Sequence, residues 1–255
     1  MTWGLGILFG VIGAAVGLGS GWLAVLLERM EKLEEEEREE REDYEKAIAR
    51  DVAATREKGE KPPKAPPWLS ERYGWTWLER TLSPALCAFG FALFVSREGI
   101  STLSVEHLLW LAIFVHIIGF DLKHRLILNW ITYPSIGIAL ILATVTPGLS
   151  LGRAATGAVC IAGFFWLFSL ASRGGIGLGD VKLGALIGAI TGLSFDGLSH
   201  LQAISAVITG IFLGGLVAFL LLVTRVRGLK DPIPYGPFLC IGATVVLYQT
   251  LFTVT

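Results

Sequence analysis

Outside one charged stretch the chain carries only six acids: Glu98, Glu106, Asp121, Asp180, Asp196 and Asp231. Two of them stand at the edges of long apolar runs. Asp121 closes one, in Ile118-Gly119-Phe120-Asp121-Leu122-Lys123, and Asp180 opens another, in Gly177-Leu178-Gly179-Asp180-Val181-Lys182. Ionisable groups beside or within membrane spans are costly and are usually paired or functional. Two carboxylates that share a site also share a proton, because both cannot easily be charged at once. The ionised one can act as general base on a water. The protonated one can hydrogen-bond a scissile carbonyl and then protonate the leaving amine. That is peptide hydrolysis with neither a metal nor a nucleophilic side chain. On sequence alone Asp121 also fits a surface acid paired with Lys123 or Arg125.

Other chemistries find less support. The sequence has no H-E-x-x-H and no C-x-x-C, so the reading includes no metal and no cofactor. Cys87, Cys160 and Cys240 each lie in an apolar run and read as small buried hydrophobes. Gly177 and Gly179 remove side chains just before Asp180, where a backbone must approach closely or adopt φ > 0. Lys123 and Lys182 each follow an aspartate by two residues. That spacing points them away from the aspartates on a helix, and they read as snorkelling to the membrane interface. Pro234 shapes the approach to the last apolar run.

The elements that must position these residues are membrane helices. Of the 255 residues 53% are hydrophobic and 17% charged, against about 25% charged in an ordinary soluble domain. Residues 28–80 hold 12 of the 21 Lys and Arg and 16 of the 22 Asp and Glu. That distribution excludes an ordinary soluble enzyme and a disordered chain, and it gives no nucleic-acid footprint. The fold class is therefore all-α: a polytopic membrane helical bundle of about eight transmembrane helices. The expected spans lie near 2–27, 81–96, 102–120, 127–146, 154–172, 183–199, 201–224 and 236–255, with 81–96 and 183–199 short for the purpose. The first is read as a retained helix and not a cleaved signal. Glycines at steps of three or four, Gly6 to Gly21 and Gly184 to Gly192, predict close helix packing.

Three domains follow: a first helix over 1–27, a charged loop over 28–80, and a membrane-embedded domain over 81–255. With the N-terminus outside, the inner segments 28–80, 121–126, 173–182 and 225–235 hold 19 of the 21 Lys and Arg, as the positive-inside rule requires. The loop reads as a helix over 28–58, with Glu34–Arg38 and Glu37–Arg41 at pairing distance. A linker with four prolines in residues 62–67 follows. Then come Trp68, Tyr73, Trp75 and Trp77, suited to an interface belt.

Taken together these residues resemble the type IV prepilin peptidases, membrane aspartyl proteases of the G-x-G-D class. Gly17-Leu18-Gly19-Ser20 through Leu23, Val25 and Arg29 is similar to that family's Gly-Ser-Phe-Leu-Asn-Val segment ending in Arg. Asp121 to Ile127 resembles its first catalytic stretch, and Gly177 to Leu183 its second. Ile233-Pro234-Tyr235-Gly236-Pro237-Phe238 resembles its Ile-Pro-Phe-Gly-Pro-Phe stretch. The order and the 59-residue separation of the aspartates also suit the family. The resemblance implies that Asp121 and Asp180 are the catalytic dyad, with Gly177, Gly179, Lys123, Lys182, Pro234 and Gly236 shaping the site. It implies a prepilin or pseudopilin substrate, cut after a Gly at the cytoplasmic face of the inner membrane, with the bilayer as the other partner. Three departures stand out. Leu128 replaces a usual Pro, Ala24 replaces a usual Asn, and the 28–80 loop lacks the paired C-x-x-C of members that also N-methylate the pilin. The expected activity is therefore peptidase without methyltransferase. A polytopic transporter or channel, and a non-catalytic relative in pilus assembly, remain as alternatives.

Overall fold

The computed structural model describes residues 2–30, 76–171, 177–194, 201–224 and 233–250. Within them the chain forms eight α-helices: α1 (Thr2–Met30), α2 (Ser83–Glu98), α3 (Thr102–His124), α4 (Asn129–Leu142), α5 (Leu151–Ala171), α6 (Leu178–Thr191), α7 (Gln202–Val223) and α8 (Gly236–Thr250). No strand occurs among the described residues. Among the described residues five stretches are long and apolar enough to cross a membrane: Gly4–Glu28, Leu78–Arg97, Thr102–His124, Leu151–Ala171 and Gln202–Val223. The chain is thus a polytopic helical bundle. The helix proposed over 28–58 is described as far as Met30, where it continues α1; the rest of it, its two ion pairs, the proline linker, Trp68, Tyr73 and Trp75 lie outside the described residues. Trp77 is described and is 65% exposed, as an interface residue would be.

Two expected boundaries are corrected. The second span is not short, because a π-helical turn over Leu78–Leu82 precedes α2 and lengthens the span to 20 residues, Leu78–Arg97. Pro84 has no N–H to offer the Arg80 carbonyl, and just before it the ladder shifts to an i→i+5 bond, Ser83 N–H to Leu78 O. The sixth helix starts at Leu178 instead of 183 and stops at Thr191. Gly192, with φ +72, is its C-cap and still packs closely on α5, since a Cβ on Gly157 would meet Gly192 C at 3.2 Å.

Glycine contacts fix the helix directions. A Cβ on Gly13 would meet Cys87 O at 2.5 Å, on Gly17 Pro84 Cα at 2.5 Å, and on Gly21 Glu79 Cβ at 2.8 Å. The partner number falls as the glycine number rises, so α1 and α2 are antiparallel and touch backbone to backbone. Gly157 on α5 and Gly188 on α6 meet in the same way, and so do Gly210 on α7 and Leu239 on α8. The chain therefore runs up and down, and the ends of α1, α3, α5 and α7 share one side with the starts of α2, α4, α6 and α8. Among the five membrane-length helices α3 is the most enclosed, with Trp110, Phe114 and Ile117 in the main core.

Candidate active site

Both aspartates stand at that shared end. Asp121 lies in the last turn of α3 and is only 5% exposed. Its Oδ2 accepts the backbone N–H of Gly236, the first residue of α8, at 3.0 Å. A Cβ at Gly236 would lie 2.6 Å from that oxygen, so only glycine permits the approach. Asp180 lies in the first turn of α6, half-buried, with its N–H bonded to Gly177 O at 3.1 Å. The two carboxylates line one cavity of about 690 Å³. Gly177, Gly179, Arg125, Pro234 and Tyr235 line it too, while Phe164, Phe165, Phe168 and Ile211 form an apolar wall. The N-termini of α6 and α8 begin at this cavity and bring their unsatisfied N–H groups and partial positive charge to it. The volume falls within the usual range for a binding cleft, about 300–1,000 Å³.

Of the eight expected site residues, Asp121, Asp180, Gly177, Gly179 and Pro234 converge on this cavity, and Gly236 lies buried directly behind Asp121. One of the two lysines does not behave as expected. Lys123 does not snorkel: it is buried, with Nζ 2.5 Å from Glu28 Oε1 and 2.8 Å from Glu79 Oε1. Two carboxylates compensate its charge, so it has no need to reach water. Lys182 donates to Asn129 Oδ1 and lies 5.7 Å over the Tyr133 ring, joining α6 to α4. Gly179 makes the expected close approach, since a Cβ there would stand 3.2 Å from Ile127 Cβ. Gly177 does not, because its φ is −72° and a Cβ would find nothing nearer than 3.8 Å.

Sequence reasoning missed the parts that act across long separations. Ile127 is a wedge, touching both the Gly179 and Gly236 positions. Arg125 ends α3 with φ 56°, the one non-glycine residue at positive φ among the described residues, and turns the chain so that Ile127 points inward. Such a conformation is uncommon outside glycine, which marks the turn as constrained. Tyr235 closes the other side, its hydroxyl donating to Ile211 O at 3.2 Å. Glu28 and Glu79 gave no signal because they sit inside the charge-rich stretch. The two apolar departures, Ala24 and Leu128, meet in one small cluster with Leu27 and Phe120. Leu128 has φ −67°, the angle a proline would impose, so the turn keeps its shape. Among the described residues no three His, Cys, Asp or Glu side chains converge to hold a metal.

An antiparallel bundle of apolar helices with two carboxylates on one cavity at one end defines a multi-pass membrane protein with a paired-acid site. The chain belongs to the type IV leader peptidase family, whose description matches residues 107–223 and so includes both aspartates. Leader peptidase HopD of Escherichia coli is 33% identical over 136 residues, covering 51% of this chain and 84% of that protein. A prepilin leader peptidase/N-methyltransferase of Xanthomonas campestris pv. campestris is 35% identical over 137 residues, covering 51% of this chain and 45% of that one. Its counterpart in Aeromonas hydrophila is 30% identical over 154 residues, covering 58% and 50%. The chain thus spans about half the length of these larger relatives. No solved structure matches it.

Proposed function

We propose that the chain is a membrane aspartyl endopeptidase that removes the basic leader from type IV prepilins or pseudopilins. The observation that carries this reading is that Asp121 and Asp180, 59 residues apart in sequence, line the same cavity. A peptide lying across that cavity has one carboxylate to draw a proton from water and one to protonate the leaving amine. The apolar wall of Phe164, Phe165 and Phe168 suits the hydrophobic segment that follows the cut. The dyad end of the bundle carries 19 of the 21 Lys and Arg in its connecting segments, and it is assigned to the cytoplasmic face of the inner membrane. The N-terminus is then outside, 28–80 is a cytoplasmic loop, and 81–255 is the peptidase domain. The loop has no cysteine, and cleavage without N-methylation is expected.

The test is co-expression with a tagged prepilin from the same genome, followed by N-terminal sequencing of the pilin. A new terminus just after the leader Gly is expected. Asp121→Asn and Asp180→Asn should each lower the rate by at least about 10²-fold, the lower range for a lost acid or base. The rate should fall in acid as the base is protonated and in alkali as the acid loses its proton, giving a bell-shaped profile. Wild-type rates in both Asn variants would sink the dyad. A terminus 14 mass units heavier would overturn the peptidase-only assignment.

A further inference from the structure

The last turn of α3 is held from two sides. Asp121 faces α8 on one. Lys123, two residues on and about 200° around the helix, points the opposite way, into α1 and the π-helical turn. Its Nζ lies between Glu28 Oε1 at 2.5 Å and Glu79 Oε1 at 2.8 Å. Lys123, Glu28 and Glu79 are 6%, 2% and 4% exposed. Glu79 is itself fixed, because its Oε2 accepts the Thr76 N–H at 2.8 Å and the Thr76 hydroxyl. His124 Nε2 lies 2.9 Å from Glu28 Oε1. One buried ammonium therefore joins the end of α1, the start of the α2 turn and the turn of α3 that bears Asp121.

A buried ion cluster is a poor source of stability, since apolar side chains of the same volume usually do as well or better. What it offers is direction. Charge-assisted hydrogen bonds fix distances and angles, whereas apolar contact leaves a helix free to turn or slide by small amounts. Small displacements matter beside a reacting group. We infer that Lys123 is a positioning residue for the Asp121 carboxylate. Held by Glu28 and Glu79, it sets the rotation and height of the last turn of α3, so that Asp121 meets Gly236 N–H and faces Asp180. This inference rests on the peptidase reading and deepens it.

The experiment compares purified full-length variants in detergent for thermal unfolding and for kcat and KM on a purified tagged prepilin. Lys123→Met takes the ammonium from between two buried carboxylates and should lower both Tm and kcat. The triple variant Lys123→Met/Glu28→Gln/Glu79→Gln removes all three charges. It should recover Tm but keep kcat at least tenfold down, with KM within twofold of wild type. A role in stability alone predicts that kcat returns with Tm, and that result overturns the inference. So does a wild-type kcat in Lys123→Met. Should the triple variant not fold, Glu28→Leu decides, because it leaves the charge-balanced Lys123–Glu79 pair in place. Its kcat should fall at least fivefold at constant KM, and an unchanged kcat overturns the proposal. Wild-type protein that cleaves no prepilin refutes the peptidase reading, and this inference with it. Wild-type cleavage with unaffected variants refutes this inference alone.

Discussion

Asp121 is placed by a contact that tolerates almost no added volume. Its Oδ2 receives the N–H of Gly236, and the space where a Cβ would stand is 2.6 Å from that oxygen. Gly236→Ala must therefore push the carboxylate or the start of α8 aside. A misplacement of about 1 Å at a reacting group costs on the order of 10²-fold in rate, and kcat on a tagged prepilin should fall by about that factor. Gly177→Ala is the contrast in stability. Its φ of −72° is open to any residue and its Cβ position is clear to 3.8 Å, so its thermal unfolding in detergent should match wild type. A Gly177→Ala midpoint lowered as far as that of Gly236→Ala would contradict this account. The sequence made the aspartates legible, since an acid at the edge of an apolar run is conspicuous. The Gly236 contact was not legible as geometry, because 115 residues separate its two partners. Lys123 was misread for a related reason: a lysine at a helix end normally reaches water, and only the folded chain brings Glu28 and Glu79 to it.

The helices themselves were largely readable, because a bilayer demands apolar runs of a set length. The failures have one cause. Hydropathy begins counting after the last charge, so Asp180 and Lys182 pushed the expected start of α6 from 178 to 183. The helix absorbs both, Asp180 in its first turn facing the cavity and Lys182 against Asn129. The second span looked short for the mirror-image reason, since Glu79 and Arg80 belong to a helical turn that spacing alone assigned to the loop. The glycine ridges were read correctly where they meet a neighbour. Gly157 and Gly188 touch through their backbones, with no room for a Cβ on either. Gly188→Ala should force α5 away from α6 and cost about 1–3 kcal/mol, the usual range for overpacking. Gly163, also on α5, has nothing within 4 Å of its Cβ position. Gly163→Ala should be neutral or stabilising by up to about 1 kcal/mol through helix propensity. Thermal unfolding of the two variants in one detergent separates close packing from a general intolerance of added methyls, which would lower both midpoints alike.

For the whole molecule, the alternation of helix directions turns the placement of a few charges into a statement about sidedness. The end that holds the cavity also holds Glu28, Glu79, Lys123, His124, Arg125 and Lys182, whereas Arg97, Glu106 and Arg153 mark the other end. Basic residues resist translocation more than acidic ones, so the lysine and arginine bias alone sets orientation. A leader that stays on the cytoplasmic side can reach the cavity only if the cavity opens on that side. The proposed chemistry and the charge bias therefore make one prediction, and a labelling experiment can break it without any cleavage assay. In a chain with Cys87, Cys160 and Cys240 replaced, a cysteine at Ser150 sits at the end away from the cavity, and one at Trp77 sits at the cavity end. Both positions are exposed. A membrane-impermeant maleimide added to intact cells should label Ser150→Cys after passage through the outer membrane, and Trp77→Cys only once the inner membrane is opened. The reverse pattern would put the aspartates outside. No cytoplasmic leader could then be their substrate, whatever the family, and the positive-inside reading would fail with it.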